Sequence, residues 1–122
     1  MRPPDYTGGG LVNLVAELER RLTGKALVPG LRPDLGTALP EAATYLLVLL
    51  DGLGDGQLGH PAADPFAAAR RGALDAPFPT TTTVSLATIA TGLPPARHGL
   101  IAYQLWLPDR EQVANTIKWT TL

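Results

Sequence analysis

The stretch TYLLVLL, from Thr44 to Leu50, closed by Asp51-Gly52, constrains the fold of this chain more than any other. It is of strand length and lacks polar alternation, so it reads as a strand covered on both faces. That cover requires a mostly parallel sheet flanked by helices, an α/β class. In such sheets ligands sit at the C-terminal ends of the strands, which is where Asp51 falls.

Composition narrows what the chain can do. Its 122 residues suffice for one domain, and 45% apolar against 17% charged residues mark a globular chain. Ten basic residues face eleven acidic ones, and no basic run exceeds Arg20-Arg21 or Arg70-Arg71, so neither nucleic acid nor a membrane surface is expected as a partner. With no cysteine there is no disulfide framework and no thiolate metal site; a metal would take oxygen or imidazole ligands. The start MRPPDYTGGG has no cationic and apolar leader, and the apolar run Tyr45 to Leu50 is too short to span a bilayer. A cytoplasmic location is expected.

Along the chain, Leu11, Leu14, Val15, Leu18 and Leu22 recur at helical spacing, with Glu17, Glu19, Arg20 and Arg21 off that stripe and Gly24 as a stop. An amphipathic helix with its stripe in the core is expected over 11–22. Gly8-Gly9-Gly10 lacks the Gly-Lys-Ser/Thr of a phosphate loop and reads as a flexible lead into that helix. Residues 25–43, with three prolines and two glycines, read as a surface connector. Gly52, Gly54 and Gly56 do not match the G-x-G-x-x-G spacing of a dinucleotide site. Asp64-Pro65 reads as an N-cap and first helical position, opening a short helix over 66–71.

The second anchor is Ala76 to Leu93. Pro77 and Pro79 forbid a helix before Thr80, so Val84 to Thr91 read as a helix ended by Gly92, and the threonines at 80–83 fall in its N-terminal turn. Two readings stay open. A hydroxyl there caps orphan N–H groups, or it lies where a phosphate binds and an alkoxide is stabilised.

LLDGLG, then FPTTTTVSLATIATGLPPARHGLIAYQLWLP, resembles the N-terminal part of the type I phosphodiesterase/nucleotide pyrophosphatase group of the alkaline phosphatase superfamily, from about Tyr45 to Trp119. The resemblance implies an alkaline-phosphatase-like three-layer sandwich with a mostly parallel central sheet. It places the nucleophile at Thr82 and a metal-binding carboxylate at Asp51, with Thr82 also a metal ligand. It implies two divalent cations, zinc, a phosphothreonine intermediate and its hydrolysis by a metal-activated water. A threonine hydroxyl is a poor nucleophile near neutral pH, which is why such an ion helps. The substrate implied is a small-molecule phosphate ester or nucleotide, cleaved at a phosphodiester, pyrophosphate or monoester bond. Ser85 stands where the family often has an asparagine that holds the phosphate. His98, in the Arg-His-Gly turn, reads as a structural hydrogen-bonding residue, and His60 matches no family ligand.

The family draws most of its remaining metal ligands from its C-terminal half. Residues 1–122 therefore read as the N-terminal part of a single catalytic domain, expected on its own to be catalytically silent and prone to aggregate through an unpaired strand. A non-catalytic α/β domain and a phosphonate hydrolase of the same superfamily are the alternative readings.

Overall fold

A computed structural model describes residues 2–121. Helix α1 spans Leu11–Thr23. Its start is tied down from its own first turn: the Gly10 N–H donates to Asn13 Oδ1 at 3.0 Å, while Asn13 Nδ2 donates to the Tyr6 and Pro29 carbonyls at 2.9 and 2.8 Å. Its end is Gly24 at φ 79°, a left-handed conformation that costs glycine nothing, with the Gly24 N–H returning to the Arg20 carbonyl. The face of α1 that is fully buried is Val12, Asn13, Ala16 and Glu17. The leucine stripe expected to fill the core lies beside this face and is half-buried, with Leu22 exposed. Small side chains at the contact allow α1 to approach its neighbour closely, which leaves the longer leucines on the flanks.

Gly8, Gly9 and Gly10 are buried rather than a loose lead. A Cβ on Gly10 would stand 2.7 Å from the Asp5 carbonyl oxygen, a backbone atom, so a side chain there would push the two segments apart. The connector over 25–43 does hug the surface. It contains a single helical turn, α2 (Pro33–Gly36), and is held by Arg21, which bonds the carboxylate of Glu17 and the carbonyls of Gly36 and Leu39.

The expected central strand is not formed. Residues 44–50 form no regular element, and among the described residues their only backbone pairing is Leu50 O with the Leu53 N–H at 3.4 Å. Leu46 is 88% exposed and Val48 67%. A strand obtains its ladder from neighbours, and no described segment pairs its backbone with this one, so its apolar side chains stay largely exposed. The mostly parallel sheet is likewise absent among the described residues. The one parallel contact is an isolated bridge between Gly10 and Asp75, where Leu11 N–H donates to Asp75 O and Asp75 N–H to Gly9 O.

After two short 3₁₀ turns, Asp55–Gly59 and Pro61–Ala63, comes α3 (Asp64–Ala69). Asp64 is its first residue, with Ala63 in the N-cap position instead of Asp64. Helix α4 spans Thr82–Thr91, two residues earlier than the proline positions suggested, and ends at Gly92 with φ 64°. A turn of helix, α5 (Pro95–His98), leads into an antiparallel meander: β1 (Gln104–Leu107), β2 (Gln112–Asn115) and β3 (Thr120–Thr121). Trp106 pairs with Val113 and Asn115 with Thr120. The architecture is thus a small mixed α/β one. Its core is the α1–α4 contact, where Val12, Ala16, Val84 and Ala87 are buried together with Thr83 and Thr88.

Candidate active site

The apolar segment 44–50 delivers Asp51 to its end, where Gly52 at φ 77° reverses the chain. The prolines at 77 and 79 delay helix formation until Thr82, which becomes the first residue of α4. These two local events, thirty-one positions apart in sequence, meet: Thr82 Oγ1 donates to Asp51 Oδ2 at 3.2 Å. Asp51 is exposed, and Thr82 and Ser85 are half-buried. Together with Thr80, Thr81, Leu50 and Tyr103 they line a cleft of about 240 Å³.

The threonine cluster divides its work. Thr81 occupies the N-cap position, but its side chain makes no capping hydrogen bond; its hydroxyl lies 3.5 Å from that of Thr83. The first N–H groups of α4 consequently keep no side-chain acceptor, and their dipoles favour an anion in the cleft. Thr82, at the same end, uses its hydroxyl for the carboxylate rather than for the backbone. A hydroxyl bonded to a carboxylate beside free helix N–H groups has the parts a nucleophile needs: an acceptor for its proton and donors for developing negative charge.

The two histidines are elsewhere. His60 is exposed, and its Nδ1 accepts from the Ala62 N–H at 3.1 Å. His98 packs against α4, where its Nε2 lies 3.2 Å from Thr88 Oγ1. Burial pushes its pKa below the ordinary 6.5. Among the described residues no group of three or more His, Cys, Asp or Glu side chains converges. Asp51 and Thr82 offer two oxygen donors of suitable hardness, fewer than the three or four protein ligands that zinc normally takes, so the pair fits only part of a metal site.

Sequence reasoning missed the far flank of Thr82. There a second cavity of about 430 Å³ opens between α4 and the meander, walled by Leu86, Ala87, Leu100, Ile117 and Trp119. The signal was present in LWLPDREQVANTIKW, where the short apolar runs Leu105–Leu107 and Val113-Ala114 flank the turn residues Pro108-Asp109 and mark a hairpin. Tyr103, on the wall of the smaller cleft, was missed for the same reason.

The fold is thus a small mixed α/β one that brings a threonine and a carboxylate together at a helix start. The family model for type I phosphodiesterase / nucleotide pyrophosphatase matches residues 45–121, and the chain belongs to that family, a lineage of phosphodiesterase- and pyrophosphatase-like hydrolases acting on phosphate esters and typically dependent on metal. No curated protein and no solved structure matches the chain. Among the described residues no helix is long and apolar enough to cross a membrane.

Proposed function

We propose that this chain carries the nucleophile-bearing part of a phosphodiesterase or nucleotide pyrophosphatase, with Thr82 as nucleophile. The observation that carries the reading is the Thr82 Oγ1 to Asp51 Oδ2 hydrogen bond of 3.2 Å at the start of α4, inside the segment matched by the family. In this reading Asp51 and Thr82 supply ligands toward a pair of divalent cations, zinc, whose role when bound is to favour the alkoxide and neutralise phosphate charge. The chain's own part is positional. Asp51 orients the hydroxyl and accepts its proton, and the N–H groups of α4 face the phosphate. Thr82 Oγ1 would bond to phosphorus as the P–O bond to the ester's alcohol or phosphate leaving group breaks, that group departing with a proton. Water would then cleave the threonine–phosphorus bond to restore the hydroxyl and release the phosphate product. Ser85, one turn on from Thr82 along α4, can donate to a phosphate oxygen.

The finer fold belongs to the same proposal: residues 44–50 would take a central place in a mostly parallel sheet of an alkaline-phosphatase-like sandwich. A cytoplasmic location is part of it too. The non-catalytic alternative draws on one observation, that no third acidic or imidazole ligand joins Asp51 and Thr82 among the described residues.

The test is hydrolysis of chromogenic phosphate diesters and monoesters, with and without zinc, by protein expressed from the complete reading frame. Zinc-dependent turnover that Thr82→Ala abolishes supports the reading. Turnover unaffected by that change, or no turnover on either ester class, sinks it in favour of the non-catalytic domain.

A further inference from the structure

Helix α4 carries Thr82 at one end, and a single polar tie fixes its middle. Thr88, nearly two turns beyond Thr82, is fully buried, and a buried hydroxyl needs a partner. That partner is His98 Nε2 at 3.2 Å. On the other side of the ring, the Leu100 N–H donates to His98 Nδ1 at 3.1 Å. A backbone N–H can only donate, so Nδ1 must carry the lone pair, and the proton of the neutral ring sits on Nε2 and is donated to Thr88 Oγ1. One ring therefore bridges α4 and the turn after α5, in one tautomer and uncharged.

We propose that His98 is a positioning residue for α4 whose bridge is cut on one side by protonation: the imidazolium would keep its Nε2–H on Thr88 but set an Nδ1–H against the Leu100 N–H, two donors face to face. Nothing nearby compensates the added charge. Over Thr82–Thr91, α4 has no ionisable side chain. Arg97, beside His98 in α5, is itself a cation and donates to the Leu27 carbonyl at 3.4 Å. Glu19 of α1 approaches the other end of α4, at Gly92. No carboxylate bonds the ring, and burial alone acts on it. Acidification thus breaks the Leu100 side of the bridge and sets an uncompensated charge against α4, which loosens the helix that presents Thr82. This holds whether or not Thr82 attacks phosphorus.

The experiment uses residues 1–122 labelled with ¹⁵N. Long-range ¹H–¹⁵N spectra of the imidazoles give the tautomer directly, and with only two histidines His60→Gln assigns the signals. Near neutral pH, His98 is expected to be neutral with its proton on Nε2. As pH is lowered through the His98 titration, protection of the α4 and Leu100 amides, corrected for intrinsic exchange, should fall about tenfold for each unit by which its midpoint lies below 6.5. His98→Gln, which keeps a donor toward Thr88 and cannot protonate, should remove that pH dependence. A proton on Nδ1, a ring charged at neutral pH, or α4 protection unchanged across the titration each overturns the proposal. The wild-type titration decides by itself if the glutamine variant does not fold.

Discussion

In the chain of residues 1–122, a pair of substitutions separates the packing seen here from a packing in which residues 44–50 already form the core. Val84 on α4 is 0% exposed, and on α1, which packs against α4, Val12 is 2% exposed and Ala16 0%. Val84→Ala removes two methyl groups, a transfer loss of about 1.6 kcal/mol at roughly 0.8 per group. The void they leave adds on the order of 1 kcal/mol at about 24 cal/mol per Å³. The expected cost is about 2–3 kcal/mol, a large share of the roughly 5–15 kcal/mol that holds a domain together, and a fall in Tm of roughly 8–15 °C. Leu46→Ala deletes more apolar volume, yet Leu46 is 88% exposed, so its cost should stay within about 0.5 kcal/mol. A leucine covered on both faces of a sheet would instead lose about 2–5 kcal/mol. Urea unfolding followed by circular dichroism reads both, through a shifted midpoint at unchanged slope. Leu46→Ala costing as much as Val84→Ala, or Val84→Ala costing nothing, would refute the assignment of the core to the α1–α4 contact.

Other expectations follow from single contacts. Thr82→Ala should leave thermal stability within about 1 kcal/mol, because its hydroxyl bonds an exposed carboxylate and caps nothing, while Thr82→Ser keeps part of any turnover; equal rates for wild type and the alanine variant in the ester assay would remove Thr82 from the mechanism. Gly92→Ala should cost roughly 1–2 kcal/mol, since φ is 64° there and the added Cβ would also come within 3.4 Å of Glu19 Oε2; a melting curve matching wild type would contradict this. Hydrogen bonding from Arg20, followed by that from Arg21, holds the buried Glu17 carboxyl below its ordinary 4.5, so its contribution is complete above 4.5 and is lost as pH falls through the lower folded value. Acid unfolding of Glu17→Gln should therefore be shallower below pH 4.5 than that of wild type, and identical acid limbs would show that Glu17 is not coupled to folding.

Much of the site was legible in the sequence because it rests on local rules. The extent of α1 and its Gly24 stop follow from helical periodicity and glycine's access to positive φ, and both are seen. The prolines at 77 and 79 and Gly92 bracket α4, and the threonines fall in its first turn as their positions dictate. The threonine to bond Asp51 was not decided by any such rule. Thr80, Thr81, Thr82 and Thr83 are alike as residues, and the identity of Thr82 came from alignment with a family pattern until the 3.2 Å contact set it apart from its neighbours.

What the sequence determined by itself is therefore the set of short-range preferences: where the chain bends, which segments are helical, and that 44–50 is a non-helical apolar run. Tertiary structure alone decided what lies beside what. Burial of 44–50 depends on partners that sequence pattern does not supply, since a strand gains its ladder and its cover from other segments, and those described here pair elsewhere in the antiparallel meander from Gln104 to Thr121. Likewise, His98 reads in sequence as a turn residue, and only the approach of α5 to α4 made it the partner of a buried threonine. Local rules fix backbone dihedrals at a cost each residue meets alone, whereas pairing and burial are energies shared between distant residues, settled when the chain closes on itself.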